Sequence, residues 1–159
     1  IEETSADVEE IMDLGFDKVR IVAAVPNAID DNQLKSKRVI VATEYENISK
    51  RWLDSEKIDS LVVRTYGATE VFPPDDADMI IDNTATGRTL VENGLRIVDT
   101  IMTSSTRMFA SKDAMKDPEK KKKILELKML FEAVLGSAYT LSYEYSDSTG
   151  HVIYKISEH

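Results

Sequence analysis

Asp82-Asn83-Thr84-Ala85-Thr86-Gly87-Arg88-Thr89-Leu90 directly follows the apolar run Met79-Ile80-Ile81 and leads into Val91-Glu92-Asn93. An apolar run, a small hydroxyl-rich turn with one glycine and a helix start together indicate a strand–loop–helix junction. The N–H groups at a helix start have no intrahelical partner, and the helix dipole is positive there. Such a junction can therefore bind an anionic phosphate.

The side chains of this segment fit the same purpose. Gly87 lets the backbone approach a ligand closely, and Arg88 can form a charge-assisted bond to a phosphate oxygen. The three threonines Thr84, Thr86 and Thr89 add hydroxyl donors. A simpler interpretation is that a threonine only caps a helix while Gly87 eases a turn, and spacing alone does not separate the two.

The rest of the chain alternates between buried strands and helices. Short apolar runs at 19–25, 39–42 and 61–63 are typical of buried strands, and residues 46–57 have the periodicity of an amphipathic helix. This alternation predicts an α/β fold built on a largely parallel sheet. Asp82 would then end a strand, where such sheets place the groups that contact a ligand.

Other segments give further expectations. Residues 8–14 fit a short helix or a turn into a strand, residues 27–37 are polar and loop-like, and residues 139–156 predict a β-hairpin with its turn at Ser148-Thr149-Gly150. Asp117-Pro118 is a strong helix start, with Asp as cap and Pro at the first helical position. This helix should run to about residue 135 and turn five apolar side chains toward a core: Ile124, Leu127, Phe131, Val134 and Leu135.

Composition excludes several classes of protein. The 159 residues carry a formal net charge of -9, which argues against nonspecific nucleic-acid binding, and no apolar run approaches the roughly 20 residues that span a membrane. Cysteine is absent, and the two histidines, His151 and His159, lack metal-ligand spacing, so we expect no zinc site. The carboxylates Glu70, Asp78 and Asp82 are candidates for magnesium or sugar hydroxyls, or for ordinary solvated side chains.

Several motifs in order carry a resemblance to a known family: Asp13-Leu14-Gly15-Phe16, Ile21 to Pro26, Val41 to Tyr45, Gly67-Ala68-Thr69-Glu70, Ala77 to Leu90, Asn93-Gly94-Leu95 and Ser104-Ser105-Thr106-Arg107. Together they resemble ATP phosphoribosyltransferase, the first enzyme of histidine biosynthesis. The resemblance covers roughly residues 7–135.

The resemblance implies a two-lobed, periplasmic-binding-protein-like (type II) α/β fold whose first lobe is incomplete in this chain. Residues 1–26 would belong to lobe I and the hinge, and residues 27–100 would form lobe II. Residues 101–138 would return to lobe I with the long helix, and residues 139–159 would form a hairpin-like tail. The family's N-terminal segment and regulatory domain have no counterpart here, so we expect a fragment that other segments must complete for activity.

The resemblance also implies a reaction: adenine N1 of ATP attacks the anomeric carbon of phosphoribosyl pyrophosphate (PRPP) and pyrophosphate leaves. The matching loop, Thr86 to Thr89 flanked by Thr84 and Ala85, would bind the PRPP 5-phosphate. Asp82 would contact the ribose hydroxyls, and Glu70 would lie beside the sugar or its Mg²⁺. The implied setting is a cytoplasmic enzyme, homo-oligomeric in its full-length form, that binds ATP and PRPP and neither nucleic acid nor membrane.

Two other functions fit the residues. One is a noncatalytic module of the same fold that binds a small anion between its lobes. The other is an assembly piece whose exposed hairpin pairs with another chain.

Overall fold

The computed structural model describes residues 1–136, 139–145 and 152–158. These residues form nine strands, five α-helices and one 3-10 turn. The strands are β1 Val8–Asp13, β2 Val19–Pro26, β3 Val39–Thr43, β4 Ser60–Arg64, β5 Met79–Thr84, β6 Leu95–Ser104, β7 Arg107–Ser111, β8 Tyr139–Tyr145 and β9 Val152–Glu158. The helices are α1 Asp31–Ser36, α2 Glu46–Ser55, α3 Arg88–Glu92, α4 Lys112–Lys116 and α5 Pro118–Gly136, and the 3-10 turn is Thr69–Val71.

The first of two compact units contains Ile1–Ala6 and Gly15–Thr106. Its sheet has five strands in the order β4-β3-β5-β2-β6. Strand β3 is parallel to β4 and β5, whereas β2 is antiparallel to both β5 and β6. Four strands therefore run in one direction and β2 runs against them. The predicted α/β fold with a largely parallel sheet is confirmed.

The core of this unit lies on both faces of the sheet, as strand alternation requires. One face carries Ile21, Ala23, Val25, Val41, Met79 and Ile81, with Ile48 and Leu53 of α2 packed over it. The other carries Val22, Ala24, Ala42 and Ile80, with Leu90 of α3 and Leu95 packed over it. Because both faces are covered, β2 and β5 are almost continuously apolar until they reach the edge where α3 begins.

The second unit contains Asp7–Leu14 and Arg107–His159. Strand β1 pairs antiparallel with β7, so of the two forms expected for residues 8–14, residues 8–13 adopt the strand. Arg107 joins this ladder through Glu10, at 2.8 Å from Nη1 to Oε2, and Asp13, at 3.2 Å from Nη2 to Oδ2. Helix α5 begins as predicted, since Asp117 Oδ1 accepts hydrogen bonds from the N–H groups of Glu119 and Lys120.

Two sequence expectations are wrong. Residues 27–37 are not all loop, because Asp31–Ser36 form α1 behind a capping box in which Asp30 and Gln33 bond reciprocally. The proposed core face of α5 is mostly exposed: Leu127 is 47% and Phe131 41% exposed, Ile124 is half-buried, and no α5 residue in the described part is buried.

The C-terminal hairpin is confirmed, because β8 and β9 pair antiparallel with Tyr139 opposite Glu158. Its proposed turn at residues 148–150, and both histidines, lie outside the described residues. No helix within the described ranges is long and apolar enough to cross a membrane. The lobe boundaries expected at residues 26, 100 and 138 stay predictions.

Candidate functional site

Polar side chains collect at the edge of the five-stranded sheet where β3, β4 and β5 end. Glu44 and Tyr45 follow β3, Thr65 follows β4, and Asp82 to Thr84 close β5. Parallel strands bring their carboxyl ends to one edge, which is where α/β sheets bind ligands. The reversed strand β2 begins at the same edge, so its first residues belong to this surface too.

The loop between β5 and α3 is a tight turn around Gly87. This residue is the N-cap of α3 and has φ 80°, a left-handed conformation that glycine adopts without strain. Thr84 Oγ1 accepts a hydrogen bond from the Gly87 N–H at 2.8 Å, and Thr86 Oγ1 accepts one from the Arg88 N–H at 3.3 Å. The next two N–H groups, of Thr89 and Leu90, begin α3 and have no intrahelical acceptor.

The expected phosphate loop thus has the strand–loop–helix form that its sequence predicted, while its side chains differ from the expectation in one respect. Arg88 does not turn toward the loop but pairs with Glu92, at 2.7 Å from Nε to Oε1, along the outer face of α3. Its side chain is 82% exposed. Ala85, Thr86 and Thr89 are also exposed, and Thr84 is half-buried.

Asp82 is a half-buried carboxylate at this edge. Burial raises its pKa above the ordinary value, and the negative charges of Glu44 and Glu70 raise it further. Hydrogen bonds from the Asn83 N–H, at 2.6 Å, and from Thr69 oppose this rise. The edge therefore holds three carboxylates in the described part of the chain, and Glu44 and Glu70 both act on the pKa of Asp82.

Glu70 and Glu44 approach Asp82 from two different connections. Glu70 lies partly buried in the 3-10 turn after β4. Glu44, directly after β3, accepts a hydrogen bond from the Gly67 N–H, which ties the two connections together. Ala68 between them has φ 48°, a left-handed conformation uncommon for a residue with a side chain. Sequence reasoning had included Glu70 and missed Glu44, although Thr43-Glu44-Tyr45 was among the matching motifs.

Buried hydroxyls hold the strand ends beneath these carboxylates. Thr43, fully buried, donates to the Ile81 carbonyl at 2.6 Å and accepts from the Tyr45 N–H at 2.9 Å. Ser49 of α2 lies 3.1 Å from the same hydroxyl oxygen. Among the described residues no buried side-chain nitrogen or oxygen lacks a partner, so this edge is fixed by satisfied bonds.

A cation that sequence reasoning missed lies beside the loop. Arg20 is half-buried on β2, and its guanidinium Nη2 lies 3.9 Å from where a Cβ on Gly87 would stand. Among the described residues, the Arg20 side chain forms no hydrogen bond or ion pair, and its backbone belongs to the ladders with β5 and β6. The only sequence signal was a charged residue within an otherwise apolar strand.

Asp78, a third candidate carboxylate, lies at the opposite end of β5. Its Oδ1 is 2.5 Å from Lys37 Nζ and its Oδ2 accepts from the Ile40 N–H at 2.9 Å. Although burial alone would raise the pKa of Asp78, these two hydrogen bonds and the Lys37 charge hold it below the ordinary value. Asp78 is therefore a structural carboxylate that joins β3 to β5.

Comparison with known proteins gives a consistent result. A sequence model of the HisG family, described as ATP phosphoribosyltransferase, matches residues 1–133. The ATP phosphoribosyltransferase of Pelodictyon phaeoclathratiforme is 42% identical over 141 residues, covering 85% of this chain and 48% of the relative. That of Desulforudis audaxviator is 40% identical over 143 residues, covering 85% and 49%. The chain thus spans about half the length of the curated relatives it matches.

Solved structures agree on the fold. The ATP phosphoribosyl transferase (HisG:HisZ) complex from Thermotoga maritima aligns with a TM-score of 0.74 at 24% identity, over 84% of this chain and 65% of that chain. Tv2483 bound to L-arginine aligns with a TM-score of 0.52 at 14% identity, over 84% and 58%. The predicted periplasmic-binding-protein-like type II fold is confirmed.

Proposed function

This chain belongs to the ATP phosphoribosyltransferase family, and from that membership we propose that the complete protein transfers the phosphoribosyl group of PRPP to N1 of ATP. The C1–O bond to pyrophosphate breaks and a C1–N1 bond to adenine forms. The observation that carries this proposal is the family match over residues 1–133, which includes the loop after β5. We further expect a cytoplasmic enzyme that is a homo-oligomer in its full-length form.

We propose that this chain supplies the PRPP-binding part of the active site. The 5-phosphate lies against the loop from Thr84 to Thr89, over the N–H groups that begin α3. The hydroxyls of Thr86 and Thr89 are exposed and available to its oxygens. Gly87 supports this placement, because a side chain there would fill space next to Ile97 and Arg20.

The carboxylates of the edge are proposed to act on the sugar. As pyrophosphate leaves, the ribose ring acquires positive oxocarbenium character. Asp82, Glu70 and Glu44 together provide a negative electrostatic field at the end of β5, and this field stabilises the positive charge on the ribose. Asp82 has a second role, accepting hydrogen bonds from ribose hydroxyls and so aligning C1 with adenine N1. No covalent intermediate on the protein is required.

Mg²⁺ is proposed to arrive with the pyrophosphate of PRPP. The described residues contain no group of three or more acidic or histidine side chains that could hold a metal alone. Magnesium commonly takes one or two carboxylates plus substrate phosphates, and Glu70 and Asp82 suit that arrangement. When bound, the ion would neutralise charge on the departing pyrophosphate.

The test is calorimetric titration of this chain with PRPP and magnesium. Saturable binding that an Asp82→Asn, Thr89→Ala double variant loses supports the proposal. The matched control is Asp54→Asn, which removes a carboxylate from the exposed side of α2 and should leave binding unchanged. If the folded chain binds small oxyanions or amino acids and not PRPP, the noncatalytic binding module is the better description.

A further inference from the structure

We propose that Arg20 is a phosphate-binding residue, whose guanidinium holds the 5-phosphate of PRPP against the loop from Thr84 to Thr89. This inference rests on the proposed function of the chain and assigns one contact within it. It adds a second cation to the loop beside Arg88, which the sequence suggested.

The strand register places Arg20 on the correct face. Arg20 on β2 lies directly opposite Thr84 on β5, and Val22 lies opposite Asp82. Directly opposed residues of antiparallel strands point to the same face, and so do residues two apart in one strand. Arg20, Thr84 and Asp82 therefore share the face on which α3 packs through Leu90.

The position of the guanidinium agrees with that register. Its Nη2 lies 3.9 Å from the Cβ position of Gly87, so a phosphate seated over this turn would meet it directly. The Arg88 guanidinium, by contrast, pairs with Glu92 along α3 and its side chain is 82% exposed.

The surroundings of Arg20 favour an anionic ligand. From Ile21 to Val25, β2 is buried and apolar, and a half-buried cation beside such a strand gains from an opposite charge. None of the described residues supplies one through an ion pair. An arginine fork also matches phosphate oxygens in bidentate geometry.

This face of the sheet carries a positive charge at Arg20 and a negative charge at Asp82, and the pair would fix the orientation of a bound ligand. Arg20 and Thr84 mark one end and Asp82 the other, two residues or about 7 Å along β5. A sugar phosphate is polarised in the same sense, with an anionic phosphate at C5 and a cationic C1 in the transition state. The phosphate end thus belongs at Arg20 and the anomeric end at Asp82.

Titrations of Arg20→Gln with three ligands test this assignment. We expect the affinity for PRPP with magnesium and for ribose 5-phosphate to fall roughly 10- to 100-fold, as for loss of a charged hydrogen bond. Pyrophosphate, which lacks the 5-phosphate, should bind the variant and the unaltered chain equally. Arg20→Lys should recover part of the loss, since the charge returns without the fork.

The control is Arg38→Gln, which removes an exposed arginine from the opposite end of the sheet. Its affinities should match those of the unaltered chain, and thermal unfolding should show that each variant is folded. If the unaltered chain binds PRPP and Arg20→Gln binds it equally well, Arg20 is not the phosphate ligand while the proposed function stands. If the unaltered chain binds neither PRPP nor ribose 5-phosphate, both proposals fail.

Discussion

Asp82 and Asp78 stand on the same strand and respond to their surroundings in opposite ways. Burial and the charges of Glu44 and Glu70 disfavour the ionised form of Asp82. Lys37 and the Ile40 N–H favour the ionised form of Asp78. One carboxylate therefore costs stability in the folded chain and the other contributes it, which is the pattern expected when a fold carries both a functional and a structural acid.

Asp82→Asn should stabilise the chain at neutral pH. The folded pKa of Asp82 is raised, so its penalty is absent below the unfolded pKa and complete once pH exceeds the folded value. The gain in the free energy of unfolding should therefore appear at pH 7 and vanish near pH 3, as measured by urea unfolding. An equal loss of stability at both pH values would contradict this sign. Asp54→Asn, on the exposed side of α2, is the control.

Asp78→Asn should have the opposite effect. The folded pKa of Asp78 is lowered, so its stabilisation is present above the unfolded pKa and is lost as pH falls through the folded value. We expect a cost of about 1–2 kcal/mol at pH 7 that shrinks in acid, at the low end for charged hydrogen bonds because the Lys37 side chain is 52% exposed to water. Asp59→Asn, whose weak pair with Arg38 is exposed at 3.8 Å, should cost little in the same urea experiment.

At the scale of elements, α2 depends on a residue far away in sequence for its first turn. Tyr45 is its N-cap and gives no side-chain cap. The Glu3 carboxylate instead accepts hydrogen bonds from the N–H groups of Asn47 and Ile48, both at 3.0 Å. A carboxylate here also meets the positive end of the helix dipole.

Glu3→Ala should therefore destabilise the chain by about 1 kcal/mol, the usual cost of losing an N-cap. Glu2→Ala is the matched control, because Glu2 contributes its main-chain carbonyl to Arg51 and no carboxylate to the helix. Thermal unfolding measures both. A melting temperature for Glu3→Ala no lower than that of Glu2→Ala would show that the cap contributes nothing.

Thr43→Val should loosen the edge that holds the site. Valine has nearly the same shape but cannot donate to the Ile81 carbonyl or accept from the Tyr45 N–H, which leaves buried groups unpaired. We expect the free energy of unfolding, measured with urea, to fall by about 1–3 kcal/mol. The affinity for PRPP, measured by calorimetric titration, should also fall. Thr100→Val, at an exposed position of β6, should change neither.

Sequence predicted elements where local signals were strong and failed where distant residues decide. The junction around Gly87 carries its own glycine, hydroxyls and apolar flanks, so its form was predictable. Helix α1 is short and polar and lacks an apolar periodicity, so it was not predicted. Its capping box, formed by Asp30 and Gln33, was the one local signal for it. Arg20 and Glu44 join the site only through strand order, and no local pattern reveals that β2 lies next to β5.

At the scale of the whole molecule, every residue proposed to contact PRPP lies in the unit containing Gly15–Thr106. Arg107→Ala removes the contacts to Glu10 and Asp13 in the other unit. We expect faster amide hydrogen exchange in β1 and β7 with unchanged exchange in the loop after β5 and unchanged PRPP affinity. Weaker PRPP binding would mean that the two units are energetically coupled.

The reversed strand β2 also determines how the first unit can fold. Strands β5 and β6 are neighbours in sequence but not in the sheet, and β2 fills the gap between them. Residues 19–26 of β2 pair with residues 79–84 and 95–104. These contacts join residues far apart in sequence, and such contacts form slowly. Strands β3 and β4 can pair early around α2, whereas β6 joins the sheet only through β2. During synthesis, the edge that carries Arg20 and Thr84 therefore cannot form until most of this unit has been made.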